Sequence, residues 1–189
     1  MKIAIDIDEV VVEFFREYLE LFNKRFNTTI KFEDMDNFHI WEVCNISKED
    51  SLKLVNEFYR SDDFFKMELV DGVKEALEEL REENEIHFIT SRPISIKEKT
   101  QIFLGNLFQN YNFGLHFSGG VWGESRTKGE ICKELEVDFF VEDNFDYAID
   151  SARKGIKTFL MDKPWNQNGE THENLIRVKT WPEIMEKLK

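Results

Sequence analysis

Cysteine is scarce: Cys44 and Cys132 are the only two in 189 residues. Two thiols build no disulfide framework, and they fit a reducing compartment. Basic residues are also in deficit, 25 against 38 acidic, for a net charge of −13. Such a surface repels nucleic acid polymers and anionic lipid. A small anionic substrate is still compatible, because a bound metal and a few cations set the field inside a site. No apolar run is long enough, or free enough of charge, to span a bilayer. The first one is broken by Asp6 and Asp8 and makes a poor secretory leader, so the expectation is a soluble, cytoplasmic protein. There are four histidines; His87, His116 and His172 are scattered, without zinc-ligand spacing. The glycine pair of FSGGVWGES reads as a strand-end turn and lacks the Gly-Lys-Ser/Thr pattern of a nucleotide-cradling loop. Internal repeats and low-complexity linkers are absent. The length suits one domain with an inserted subdomain, and the 41% hydrophobic content is enough for a real core.

What is present is a regular alternation. Lys2–Ile7 is apolar with recurring Ile and reads as a first strand. EIHFIT, FGLHFS, VDFFVE and IKTFLM read as four more strands. Between and after them, helices are expected at VKEALEELREEN, Ile94–Gln109, Thr127–Leu135, Phe145–Lys154 and Trp181–Leu188. Strands alternating with helices of this length predict an α/β fold, a Rossmann-like three-layer core on a parallel sheet. Residues 12–70 do not fit the alternation. Phe15, Tyr18, Phe22 and Phe26 recur at helical spacing, and SKED starts a second helix with a looser capping box. This stretch is expected to be a helical cap inserted after strand one, leaving 1–11 and 71–189 as the core.

Chemistry-bearing residues fall at strand ends. Asp6 and Asp8 end strand one; Thr90, Ser91 and Arg92 end strand two; Glu142 and Asp143 end the FFV strand. Lys128 opens the helix before that strand, an unfavourable place for a cation with nothing to bind. In an open parallel sheet, ligands bind at the carboxyl ends of the strands, so these groups are expected on one rim. Asp6 and Asp143 offer oxygen to a hard divalent cation, and magnesium suits a few carboxylates plus phosphate. Beside a lysine and a hydroxyl, such a site can transfer a phosphoryl group through an aspartate nucleophile. A second carboxyl two residues on can serve as acid and base.

In order along the chain, DIDEV, FITSR, the lysine of SRTKGE and VEDN resemble the four motifs of the haloacid dehalogenase-like phosphatase superfamily. ITSRP and the acidic pair before Asn144 are most similar to its 5′(3′)-deoxyribonucleotidase branch and bacterial relatives. The resemblance implies Asp6 as nucleophile, Asp8 as acid/base, Thr90 as the phosphoryl-binding hydroxyl and Lys128 as the charge-balancing lysine. It implies Mg2+ as cofactor, held by Asp6, the Asp8 carbonyl and Asp143. Two positions depart from the common pattern: Glu9 and Val10 replace Gly and Thr, and Glu142 stands where many members have Asp.

The resemblance implies a phosphoric monoester hydrolase releasing phosphate from nucleoside or deoxynucleoside monophosphates. A phosphatase of another small metabolite and a non-catalytic phosphate binder on the same fold are the alternatives. Ser91 and Arg92 are candidate substrate contacts, although Arg92 equally suits a pair with a surface acid. Trp41 and Phe38 are candidate stacking residues, with the hydrophobic core as their ordinary alternative. Asp146 reads either as a helix-start acid or as a support for Lys128. Trp165 reads as packing on the core. Oligomeric state is left open.

Overall fold

The computed structural model describes residues 1–109, 111–119 and 126–188. Six strands form one sheet: β1 (Lys2–Ile5), β2 (Glu85–Thr90), β3 (Phe113–Phe117), β4 (Phe139–Glu142), β5 (Lys157–Met161) and β6 (Leu175–Val178). Their order is β3-β2-β1-β4-β5-β6, and every neighbouring pair is parallel. Helices cover both faces, which is why the central strands are apolar on both sides. Ala4, Ile89 and Phe140 pack with Ile131 and Cys132 on one face. Ile3, Ile5, Phe88 and Val141 join the larger core on the other.

The crossover helices are α4 (Val73–Leu80), α5 (Lys97–Leu107), α6 (Lys128–Leu135) and α7 (Phe145–Arg153), with α8 (Trp181–Leu188) closing the chain. The sixth strand is an addition to the five expected from the sequence. β6 is four residues long, and it sits at the sheet edge with Arg177 exposed. Too short for a clear alternation, it forms because β5 offers it a ladder. The turn expected at FSGGVWGES lies partly outside the described residues.

Between β1 and α4 the chain makes α1 (Phe14–Phe26), a single turn α2 (Ile40–Val43) and α3 (Lys48–Arg60). Ser47 caps α3 by accepting from the Asp50 N–H at 3.0 Å, a cap usually worth about 1 kcal/mol. α1 ends at Asn27 in the left-handed conformation, φ 52°, which asparagine tolerates. Phe14 and Tyr18 of α1 meet Phe58 of α3 edge-on at 5.4 and 6.0 Å. The segment leaves and re-enters side by side: Val12 bridges Leu69, and the Val70 N–H donates to the Val11 carbonyl at 2.9 Å. Its apolar face belongs to the same core as the sheet.

Candidate active site

The strand order reverses direction between β1 and β4, and a crevice opens at that point beyond the carboxyl ends. Asp6 follows β1 and Asp143 follows β4; the two strands are neighbours. The Asp6 N–H continues the ladder to the Val141 carbonyl at 2.9 Å, which holds this backbone in place. One carboxylate oxygen each from Asp6, Glu142 and Asp143 lies within 4.8 Å of the others, and all three residues are buried.

Lys128 enters from the start of α6. A capping box fixes that start: Thr127 Oγ1 accepts from the Glu130 N–H, and Glu130 Oε2 accepts from the Thr127 N–H. The ammonium is then delivered inward, donating to Asp6 and to Glu142, each at 2.8 Å. These two carboxylates offset the unfavourable helix-start position. Glu142 accepts as well from the Asp143 and Asn144 N–H groups at 3.1 and 2.9 Å. Asn144 caps α7 through its side chain. Asp143 is held from the far side: Trp165 Nε1 donates to its carboxylate at 3.0 Å, and Asn166 Nδ2 donates to its carbonyl at 2.7 Å.

The electrostatics are those of a crowded buried anion. Burial, then the nearby Glu142, pushes Asp6 up to about 8, with Lys128 pulling the other way. Asp143 is raised for the same reasons, burial and then Glu142 and Asp6. Burial works to lower Lys128, but Asp6 and Glu142 outweigh it and hold the ammonium protonated. Four carboxylates, from Asp6, Asp8, Glu142 and Asp143, face two cations, Lys128 and Arg92. Fully ionised, the group carries an excess of two negative charges, and uncompensated buried charge costs several kcal/mol. An all-oxygen donor set with that excess fits a hard divalent cation such as magnesium.

Above these groups lies one cavity. Asp6, Asp8, Ser91, Lys128 and Asp143 form its polar floor. Phe14, Phe15, Tyr18 and Tyr59 wall it from α1 and α3, and Phe38, His39 and Trp41 from the stretch around α2. His39 and Trp41 stack with ring centroids 4.1 Å apart, and Lys48 lies 5.4 Å from the Trp41 centroid. The fold thus brings eight of the nine sequence candidates to one cavity: Asp6, Asp8, Ser91, Arg92, Lys128, Asp143, Phe38 and Trp41. Thr90 stands apart. It is fully buried, does not border the cavity, and its hydroxyl accepts from the Arg92 N–H at 3.1 Å. The neighbouring Ser91 borders the cavity, its hydroxyl 2.8 Å from that of Ser118.

Other residues take up positions the sequence left undecided. Arg92 pairs with neither a surface acid nor open space; Nε and Nη2 donate to the two Asp8 oxygens at 2.9 and 2.6 Å. Glu9 occupies a left-handed turn, φ 60°. Its carboxylate accepts from the Phe15 N–H at 2.6 Å and from Lys163 at 3.3 Å, which ties the start of α1 to the loop after β5. Asp146 sits in the first turn of α7, where a negative charge suits the helix dipole, and does not border the cavity. His87 and His116, distant in sequence, meet at 3.2 Å across β2 and β3, away from the cavity lining.

Sequence reasoning missed Tyr59, Trp165 and Tyr147. Tyr147 borders the cavity with the Lys128 ammonium 4.8 Å from its ring centroid. Its signal was available: it lies four residues beyond Asp143, one helical turn past a capping Asn. Trp165 carried no signal, because nothing local links it to Asp143.

The comparisons agree with this geometry. The family model described as 5′ nucleotidase, deoxy (pyrimidine), cytosolic type C protein matches residues 1–188. A nucleotidase of Clostridium acetobutylicum is 27% identical over 187 residues, covering 97% of this chain and 91% of that protein. A haloacid dehalogenase-like hydrolase from Streptococcus pneumoniae superposes with a TM-score of 0.69 at 13% identity, covering 100% of this chain and 98% of the other. YfnB of Bacillus subtilis, solved bound to magnesium, superposes with a TM-score of 0.63 at 12% identity, covering 100% and 98%. Among the described residues no helix is long and apolar enough to cross a membrane. With the haloacid dehalogenase fold established by topology and the family model spanning nearly every residue, this chain belongs to the cytosolic type C 5′-nucleotidase family and is a phosphoric monoester hydrolase.

Proposed function

We propose that the chain is a magnesium-dependent phosphatase of nucleoside or deoxynucleoside monophosphates, working through a phosphorylated Asp6. The observation that supports this most is the placement of Asp6. Its carboxylate lies at a strand end, 2.8 Å from Lys128, beside Asp143 and beneath an aromatic-walled cavity.

Asp6, Asp143 and the Asp8 carbonyl are the residues that would hold magnesium. When bound, the ion would offset the excess negative charge and polarise the phosphoryl oxygens. An Asp6 carboxylate oxygen attacks phosphorus in line, and the bond from phosphorus to the ester oxygen breaks. Asp8 gives its proton to that departing oxygen. A water then loses a proton to Asp8 and attacks the same phosphorus, so that the acyl phosphate breaks, phosphate leaves and Asp6 is restored. Lys128 favours the ionised form of Asp6, against burial and Glu142, and balances charge on the transferring group. Thr90 was expected to donate its hydroxyl to the phosphoryl group. The exposed side of this role falls to Ser91, with Thr90 bracing the Arg92 backbone.

Residues 12–70 serve as the cap and residues 1–11 with 71–189 as the core. The chain's tight exit and return at Val12 and Leu69, and the aromatic wall that α1 and α3 supply, support that division. A nucleobase suits the wall because flat rings stack on aromatic side chains. The name of the family model and that of the clostridial relative support a nucleotide.

The test is a phosphate-release panel of 5′- and 3′-nucleoside monophosphates, ribo and deoxy, beside sugar phosphates, with magnesium. Turnover preferring nucleotides is expected. Turnover confined to sugar phosphates removes the nucleotide reading, and no release above the Asp6→Asn variant removes catalysis.

A further inference from the structure

We infer that Arg92 is the positioning residue for Asp8: a buried guanidinium that fixes where the acid/base carboxylate points, and through which the inserted helices brace it. The inference rests on the phosphatase reading for Asp8's role, but its geometry stands independently.

The side chain of Arg92 is 0% exposed and that of Asp8 22%. Two guanidinium nitrogens form a fork on the carboxylate, at 2.9 and 2.6 Å. A bidentate pair fixes the plane of a carboxylate as well as its distance, which a single bond from a lysine does not. The third nitrogen, Nη1, is buried and has no hydrogen-bond partner among the described residues. Around the guanidinium stand three rings: Phe64 at 5.0 Å, Tyr59 at 5.8 Å and Phe103 at 5.8 Å from its central carbon. The faces of such rings attract a cation at this range. Phe103 comes from α5 of the core; Tyr59 ends α3, and Phe64 lies in the turn 62–66 of the inserted segment. One edge of this guanidinium is thus committed to Asp8, and aromatic rings surround the group.

A fixed Asp8 matters in both halves of the reaction, since it must reach the leaving oxygen and later the water. The leaving group separates the two. p-Nitrophenolate departs without a proton, so its release in the first turnover does not depend on Asp8. Dephosphorylation of Asp6 still does.

Arg92→Lys keeps the charge and loses the fork. Its kcat for a nucleoside monophosphate is expected to fall about 100-fold, the low end for loss of a general acid–base, with KM within about 3-fold. With p-nitrophenyl phosphate the variant should show a burst of about one p-nitrophenolate per protein chain, followed by a slow steady state. A merely structural role would lower the burst amplitude along with the rate. A role in gripping substrate would raise KM and leave kcat. An equal loss on both substrates without a burst, or a raised KM alone, overturns the inference.

Crystal structures of wild type and Arg92→Met, which keeps side-chain bulk, give a readout free of turnover. The Asp8 carboxylate should leave its position or spread over rotamers, while Asp6, Lys128 and Glu142 stay. An unmoved Asp8 overturns the inference. A wild type that hydrolyses nothing sinks the phosphatase reading, and the structures then decide the positioning claim alone.

Discussion

Lys128 and Asp6 meet at 2.8 Å with side chains 2% and 8% exposed, and the same ammonium holds Glu142 at an equal distance. One cation thus balances two carboxylates from different strands in a site water scarcely reaches. Its removal has two separable effects. Lys128→Met should lower kcat about 100- to 1000-fold, the usual loss of an electrostatic stabiliser. It should also destabilise the fold by about 3–5 kcal/mol, since it strands buried charge. Adding Glu142→Gln should recover stability and leave kcat low. Thermal melts and steady-state kinetics on the three proteins check this; activity regained by the double variant contradicts it.

Metal binding and pH should be coupled. Burial and then Glu142 push Asp6 to about 8, from an ordinary 3.8, against the pull of Lys128. A folded-state value above the unfolded one means that the metal-free folded chain binds an extra proton between them. Its stability should therefore fall as pH rises from about 4 to about 8. A divalent cation replaces that proton. The difference in Tm between magnesium and EDTA should be larger at pH 8 than at pH 5. Magnesium at 100 times its Kd stabilises by about 2.7 kcal/mol, or about 5–10 °C for a chain of this size. Differential scanning fluorimetry at both pH values measures it; an equal shift, or none, counts against the site.

Trp165→Phe keeps the aromatic packing against Phe15 and Phe32, at 5.1 and 5.4 Å. It removes the N–H that orients the Asp143 carboxylate at 3.0 Å. Magnesium affinity should weaken at least about 10-fold, as for other groups that orient a metal ligand, with kcat nearly restored at saturating magnesium. A magnesium titration of activity reads both quantities, and an unchanged half-saturation point refutes the role.

The aromatic wall should discriminate by the shape of the leaving group. Phe38→Ala should raise KM for nucleoside monophosphates about 10-fold, within the range for one base–aromatic stack. Trp41→Ala should do less, because His39 and Lys48 already engage its ring. Neither should alter KM for glycerol phosphate. A parallel rise on glycerol phosphate would mean that the residues shape the site without touching a base.

Much of this molecule can be read locally. The apolar runs and their spacing mark five strands and most helices, because burial on both faces and amphipathic periodicity are written into consecutive residues. Caps at Ser47, Thr127 and Asn144 place helix starts within a residue or two. Since parallel strands all end on one rim, Asp6, Asp8, Ser91, Arg92 and Asp143 could be grouped before any coordinates. β6 could not, because a four-residue edge strand takes its conformation from its neighbour.

What only tertiary structure decided was pairing. Sequence placed two cations and several acids near one rim, but nothing in it matched Arg92 to Asp8 across 84 positions or Trp165 to Asp143 across 22. Nor did it show that Thr90 turns inward while Ser91 faces the cavity. Local propensity acts over a helical turn or a strand. Which charge meets which is settled by the order of strands in the sheet and by how the helices between β1 and α4 line the cavity, where desolvation penalises every carboxylate left without a partner.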